Sequence, residues 1–399
     1  MRKLNKTAAC GILAAALAAG TLSGCSKAID GTKTVATVGD EKVTLGLASY
    51  MTRDQQAQTM SYYNMLMSQY GVSGSASNVW DQKGDDGKTV GESSKDGVMT
   101  TINQLYVLKA HAADYDVTIT EDEEKAIKEA AAEFIKDNDE KILKKLAVSE
   151  DDIVTYLELV TIRSKMHDPM TADVDTEVSA NEKDQTRVTI VKVSTEGTEK
   201  DDDGNTIDLT DEEKAQKKDL AQQVLDKVKA SDDVANADMD ALAKEVDDSL
   251  SATAPAFTTA GDTDDTLDEA VQDAALELKD GEVADKVIEG DDGYYVVRLD
   301  KMLDEDATEN KEKTVISERK SDLYDSTLED WVKEEKIKVK DKVWDQITVT
   351  DSVSFVYKSA DSSDDTKSSD AQDSTEDTSS QDNSEDTTTE DTAAEDSAE

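Results

Sequence analysis

Two β-branched runs stand out from the polar chain around them. Arg187-Val188-Thr189-Ile190-Val191-Lys192-Val193 is bounded by polar segments, and Gly293-Tyr294-Tyr295-Val296-Val297-Arg298-Leu299 is a second run of the same kind. Both read as strands. Between them, residues 211–230 place Leu220, Val224, Leu225 and Val228 on one helical face, and 239–246 predicts a second helix. Residues 251–265, with Pro255 and Phe257, read as a loop. Leu276-Glu277-Leu278-Lys279-Asp280-Gly281 reads as a helix end stopped by the glycine. Strand, helices, loop, helix and strand over 187–301 suffice for one small α+β domain.

The flanks carry a helical pattern. Residues 34–44 read as strand, Gly39-Asp40 turn and strand. Residues 45–70 predict a long helix rich in methionine and tyrosine, with Met51, Met60, Met65 and Met67, and 71–96 a Gly/Ser/Asp-rich loop. Methionine surfaces adapt to many ligands, although a single methionine is ordinarily core. A helix follows over 98–113. Thr120-Glu121-Asp122-Glu123 is a capping box for a helix through 136, and Ser149-Glu150-Asp151-Asp152 caps another that Pro169 ends. Residues 173–186 read as an acidic linker. Beyond the central domain, 314–336 predicts a helix whose Leu323, Leu328 and Trp331 need a partner, and 337–350 short strands or turns around Trp344. None of these helices can bury its apolar face alone, so they are expected to form one lobe.

Charge narrows the function classes. Lys and Arg number 44 against 92 Asp and Glu, a formal net charge of −48. Such a surface repels phosphate backbones, so nucleic acid is not an expected partner. Residues 358–399 hold only small and polar types and cannot anchor a core, which predicts a disordered acidic tail. The two cysteines, Cys10 and Cys25, lie near the N-terminus, and the two histidines, His111 and His167, are far apart in sequence. No metal-ligand spacing, nucleophile–histidine arrangement or phosphate loop is present, so no metal or cofactor is expected.

The N-terminus reads as an export signal. Arg2, Lys3 and Lys6 precede a short apolar run over 7–22. Its end, Leu22-Ser23-Gly24-Cys25, resembles the bacterial lipobox. That resemblance implies cleavage before Cys25 and lipidation of its thiol, hence attachment to the outer face of the cell membrane.

The opening strand, the helix end before Gly281-Glu282-Val283 and the closing Gly293-Tyr294-Tyr295-Val296-Val297-Arg298-Leu299 resemble a parvulin-type peptidyl-prolyl isomerase domain. With the lipobox and the helical flanks, the chain is similar to PrsA/SurA-type extracytoplasmic foldases over roughly 37–350. The resemblance implies an α+β architecture in which a discontinuous helical lobe, 37–185 and 303–356, receives an inserted domain, 186–302. The remaining parts are a signal peptide, 1–24, an anchor and tether, 25–36, and the tail, 357–399.

The resemblance also implies site residues. The family's two histidine positions fall on Ile190 and Tyr295, its Asp/Cys position on Asp248, and its Met/Leu and Phe floor on Leu267 and Val271. Asp248 and Tyr295 are thus the candidate catalytic residues, with Ile190, Leu267 and Val271 as candidate substrate contacts. With both histidines replaced, the expected isomerase is weak or inactive. The implied partners are unfolded or newly secreted polypeptides. A non-catalytic scaffold lipoprotein that keeps the parvulin fold stays open. A solute-binding lipoprotein fits less well, because two strand–helix lobes are missing.

Overall fold

The computed structural model describes residues 29–69, 79–198, 200, 206–259 and 267–350, with backbone pairing alone for Ala15–Ala16 and Val356–Tyr357. Cys25, the expected export signal and the expected disordered tail lie outside the described residues.

The architecture is α+β. A hairpin, β1 (Thr34–Val38) and β2 (Glu41–Thr44), turns at Gly39-Asp40 and leads directly into α1 (Leu45–Gln69). Four further helices follow: α2 (Val90–His111), α3 (Glu121–Asp137), α4 (Glu140–Leu146) and α5 (Glu150–Met170). Thr89, Thr120 and Ser149 each close a capping box with the residue three ahead, which satisfies free N–H groups at the helix start. The apolar faces meet in a core that includes Leu45, Leu47, Tyr50, Ile102, Leu105, Ile153 and Met166. Tyr50 holds its centre, edge-on to Phe134 at 5.5 Å and to Tyr156 at 5.0 Å.

The same core takes residues from far along the chain. After α10 (Glu305–Glu334), β8 (Ile337–Val339) pairs antiparallel with β1, and α11 (Asp341–Trp344) follows. Leu328, Trp344 and Ile347 are buried among the first helices. Trp331 stacks on His111 at 4.0 Å. The buried Arg53 donates to the Thr348 carbonyl at 2.7 Å, and Gln56 to that of Thr350 at 2.5 Å.

Between α5 and α10 the chain forms α6 (Ala180–Lys183), β3 (Gln185–Ser194), α7 (Asp211–Lys229), α8 (Met239–Lys244), β4 (Ala252–Thr253), β5 (Ala256–Thr258), α9 (Glu269–Leu276), β6 (Ile288–Glu289) and β7 (Gly293–Lys301). The antiparallel sheet runs β4-β3-β7-β6, with β5 also on β3. Strand alternation sends Val191, Val193, Tyr294 and Val296 to one face, under Val224, Leu225 and Val228 of α7 and Met239 of α8. Val188, Ile190, Tyr295, Val297 and Leu299 go to the other, with Phe257 and with Val271 and Ala275 of α9. Both faces of β7 are covered, which explains its unbroken apolar run.

Several boundaries differ from the sequence reading. The loop expected over 71–96 gives way to α2 at Val90, because Thr89 and Glu92 form a cap that the glycines and serines around them obscure. Pro169 sits inside the last turn of α5 rather than ending it, and the helix closes at Met170. The linker over 173–186 contains α6, and the loop over 251–265 contains β4 and β5. The helix before Gly281 ends at Leu276. Gly281 itself, at φ 80°, shapes the turn back to β7 and donates its N–H to Leu299 at 2.7 Å. The last long helix starts at Glu305, capped by Asp304, well before 314.

Candidate functional site

One concavity of about 400 Å³ opens on the α9 side of the central sheet. Ile190 and Lys192 of β3, Leu267 and Asp268 ahead of α9, Asp291 and Asp292 of the β6–β7 turn, and Tyr295 of β7 line it. The register explains the grouping. Lys192 lies directly opposite Tyr295, and Ile190 opposite Val297. Residues two apart on a strand share a face, so Ile190 and Lys192 point the same way.

The floor is apolar and the rim is charged. Ile190 is 7% exposed and Tyr295 4%, both in the core cluster beneath, while Leu267 packs at its edge. The Tyr295 hydroxyl donates to Asp292 Oδ1, and Lys192 Nζ donates to Asp292 Oδ2. The Lys192 hydrogen bond, followed by that from Tyr295, holds the Asp292 carboxyl below the usual carboxylate range. Burial, then the hydrogen bond to Asp292, pushes the Tyr295 hydroxyl well above the ordinary tyrosine range. The rim therefore links the Tyr295 phenol, the Asp292 carboxylate and Lys192 in one hydrogen-bonded chain. Asp268 caps α9 through the Ala270 N–H at 2.9 Å and takes the Asp291 N–H at 2.7 Å.

Gly290 makes the close approach possible. A Cβ there would run into the Asp268 carboxylate and the Tyr295 ring. Only a residue without a side chain lets the β6–β7 turn lie so near the pocket.

The positions expected from the sequence divide. Ile190, Leu267 and Tyr295 come together in the lining. Val271 is fully buried in the cluster beneath and does not line the concavity. Asp248 lies exposed in the turn after α8, outside the lining. Lys192, Asp268, Asp291 and Asp292 are additions that the sequence reading missed. Asp292 lies next to the closing strand, but nothing local reveals that a lysine faces it.

A second surface lies on α1. Its first half is core, with Met51 buried, whereas Tyr62 and Met65 in the second half are 63% and 60% exposed. Among the described residues no helix is long and apolar enough to cross a membrane, and no group of three or more potential ligands is arranged for a metal ion.

Residues 200–313 match the PPIC-type PPIASE domain family. No curated protein matches the chain significantly. Among solved structures it is similar to the foldase protein PrsA of Lactococcus lactis, at 15% identity and a TM-score of 0.31, over 78% of this chain and 96% of that one. It is also similar to the peptidylprolyl isomerase PrsA of Bacillus cereus, at 18% identity and a TM-score of 0.28, over 66% and 94%. For the foldase protein PrsA of Streptococcus pneumoniae the figures are 16%, 0.29, 62% and 87%.

Proposed function

We propose that this chain, whose central region matches a parvulin-type domain, is a foldase-type chaperone that holds proline-containing stretches of unfolded polypeptide. The observation that carries this reading is the apolar floor of Ile190, Leu267 and Tyr295 inside the matched domain. A proline ring needs such a floor, and a flanking peptide needs an open rim.

Catalysis asks for more. The barrier to prolyl isomerisation is loss of amide resonance, roughly 18–20 kcal/mol for a peptide bond. A catalyst must favour the twisted amide over the planar one. Ile190 offers no hydrogen bond, and the Tyr295 hydroxyl is committed to Asp292. The domain therefore binds better than it catalyses, and its isomerase activity is weak or nil. The exposed Tyr62 and Met65 of α1 offer a second adaptable surface for an unfolded chain. Lipid on Cys25 would place both sites at the extracytoplasmic face of the membrane.

A coupled isomerisation assay on short Xaa-Pro peptides, with peptide binding followed separately, tests the reading. Binding with little acceleration is expected, and Ile190→His with Tyr295→His should raise the rate. Acceleration at the level of an ordinary parvulin would overturn the weak-catalyst reading. Replacement of both histidine positions also favours a non-catalytic scaffold. Suppression of light scattering by an aggregating client distinguishes the chaperone, since a scaffold leaves aggregation unchanged.

A further inference from the structure

We infer that the pocket selects peptides with a basic residue beside the bound proline, with Asp268 and Asp291 as its specificity-determining groups. The inference rests on the peptide-binding reading above and names the substrate class of that same site.

The charge balance of the lining is the starting point. Three carboxylates, Asp268, Asp291 and Asp292, face one ammonium, Lys192. Lys192 is not available to the other two, because it is paired with Asp292, which also accepts from Tyr295. Neither Asp268 nor Asp291 has a lysine or arginine partner among the described residues. Two carboxylates, one of them the cap of α9, therefore stand beside an apolar floor without a cationic side-chain partner.

The placement of the Asp268 carboxylate is fixed before any ligand arrives. Asp268 is held through both oxygens, Oδ1 by the Ala270 N–H and Oδ2 by the Asp291 N–H. The second of these bonds also ties the Asp291 backbone to the same rim. A carboxylate already ordered loses little freedom on meeting a cation. A proline seated on Ile190, Leu267 and the Tyr295 ring would carry its neighbouring residue over this rim. A lysine or arginine there meets opposite charge, whereas a glutamate meets repulsion. A divalent ion is the rival occupant of such a rim, but these carboxylates are not grouped as metal ligands. The net charge of −48 acts in the same direction, since it draws cationic segments toward the molecule.

The size of the effect is limited by exposure. Asp291 is exposed and Asp268 half-buried, so each charge is expected to contribute about two- to fivefold in affinity at low salt.

The experiment uses the full chain without its signal segment and fluorescent peptides of the form Ala-Ala-Xaa-Pro-Phe and Ala-Ala-Pro-Xaa-Phe, with Xaa as Lys, Leu or Glu. Anisotropy titration should give the order Lys, Leu, Glu from tight to weak in at least one series. The spread should collapse at about 0.5 M salt, where the screening length falls to a few ångströms. Asp291→Asn should reduce the lysine preference and Asp291→Lys should invert it. Asp268→Asn, which retains a capping side chain for α9, provides the second variant, and circular dichroism confirms its fold. Equal affinity for all three peptides in both series would overturn the inference while leaving the peptide-binding reading intact. So would a lysine preference that survives both Asp291→Lys and Asp268→Asn. Failure of every peptide to bind would instead overturn the peptide-binding reading, and this inference with it.

Discussion

Gly290 sets the shape of the site more directly than any charged group. Gly290→Ala would push its new methyl into the Asp268 carboxylate and the Tyr295 ring. Both neighbours are held, one by two backbone N–H groups and the other by Asp292 and the core. Overpacking of this kind costs about 1–3 kcal/mol. The variant should melt several degrees lower and bind peptide more weakly, which thermal denaturation and titration would check; an unchanged melting point would show that the turn yields freely. That Ile190 and Tyr295 share one concavity was legible in the sequence, because both lie in the two β-branched runs, while Leu267 came from the family spacing before Gly281-Glu282. The rim was not. Lys192 and Asp292 are 100 positions apart, and only the strand register brings them together. Asp248 was reached through the family resemblance, which carries no information about where the turn after α8 points.

The elements repeat this contrast. The starts of α3 and α5 were legible, because a cap and a 3.6-residue period are local signals, whereas the cap of α2 was hidden among glycines and serines. The two- and three-residue strands β4, β5 and β6 are too short to show a period, and α4 at seven residues is hardly longer. The junction around α10 depends on contacts that no local pattern encodes. Arg319 of α10 donates to the carbonyls of Asp175 and Glu177 at 3.1 and 3.0 Å and pairs with Glu182 of α6. The Ser179 hydroxyl and N–H, then Arg319, bring the Glu182 carboxyl down to about 2. A carboxyl depressed on folding stabilises above its unfolded value, near 4.5, and that contribution fades as pH falls from there toward 2. Acid should therefore loosen residues 175–183 from α10, read as faster proteolysis in that segment as pH drops through this window. Arg319→Ala should produce the same loosening at neutral pH. A segment equally protected in both cases would mean that the packing of α10 holds it without the ion pair.

At the scale of the whole molecule, the first and last parts of the chain share one core. Leu328, Trp344 and Ile347 lie among the N-terminal helices, and β8 completes the sheet begun by β1. Removing residues 314–350 would expose that core and leave Ala36 and Val38 without a strand partner on one side. It should destabilise residues 37–170 while the central sheet, with its own two core clusters, stays folded. Unchanged hydrogen exchange in α1 and α2 would contradict this. The N-terminal cysteine gives a second test at this scale. Cys25→Ala should release the protein from membranes or block its processing, and a variant still processed and membrane-bound would argue against a lipid anchor. The expectation behind this test rests on the sequence alone, since an export signal is a linear pattern.

The central sheet begins and ends at one place. Arg187 pairs with Lys301 across β3 and β7, the Asp304 N–H donates to Gln185 at 2.8 Å, and Arg187 also pairs with Asp304. Paired strand residues lie only about 5 Å apart, so a gene could lose or exchange everything between these points and still leave two ends within a short linker of each other. Selection can then act on the two parts of the chain nearly independently. A domain attached in this way can change its pocket residues without forcing the helices around it to change, and a replacement could be tried there without redesigning its host.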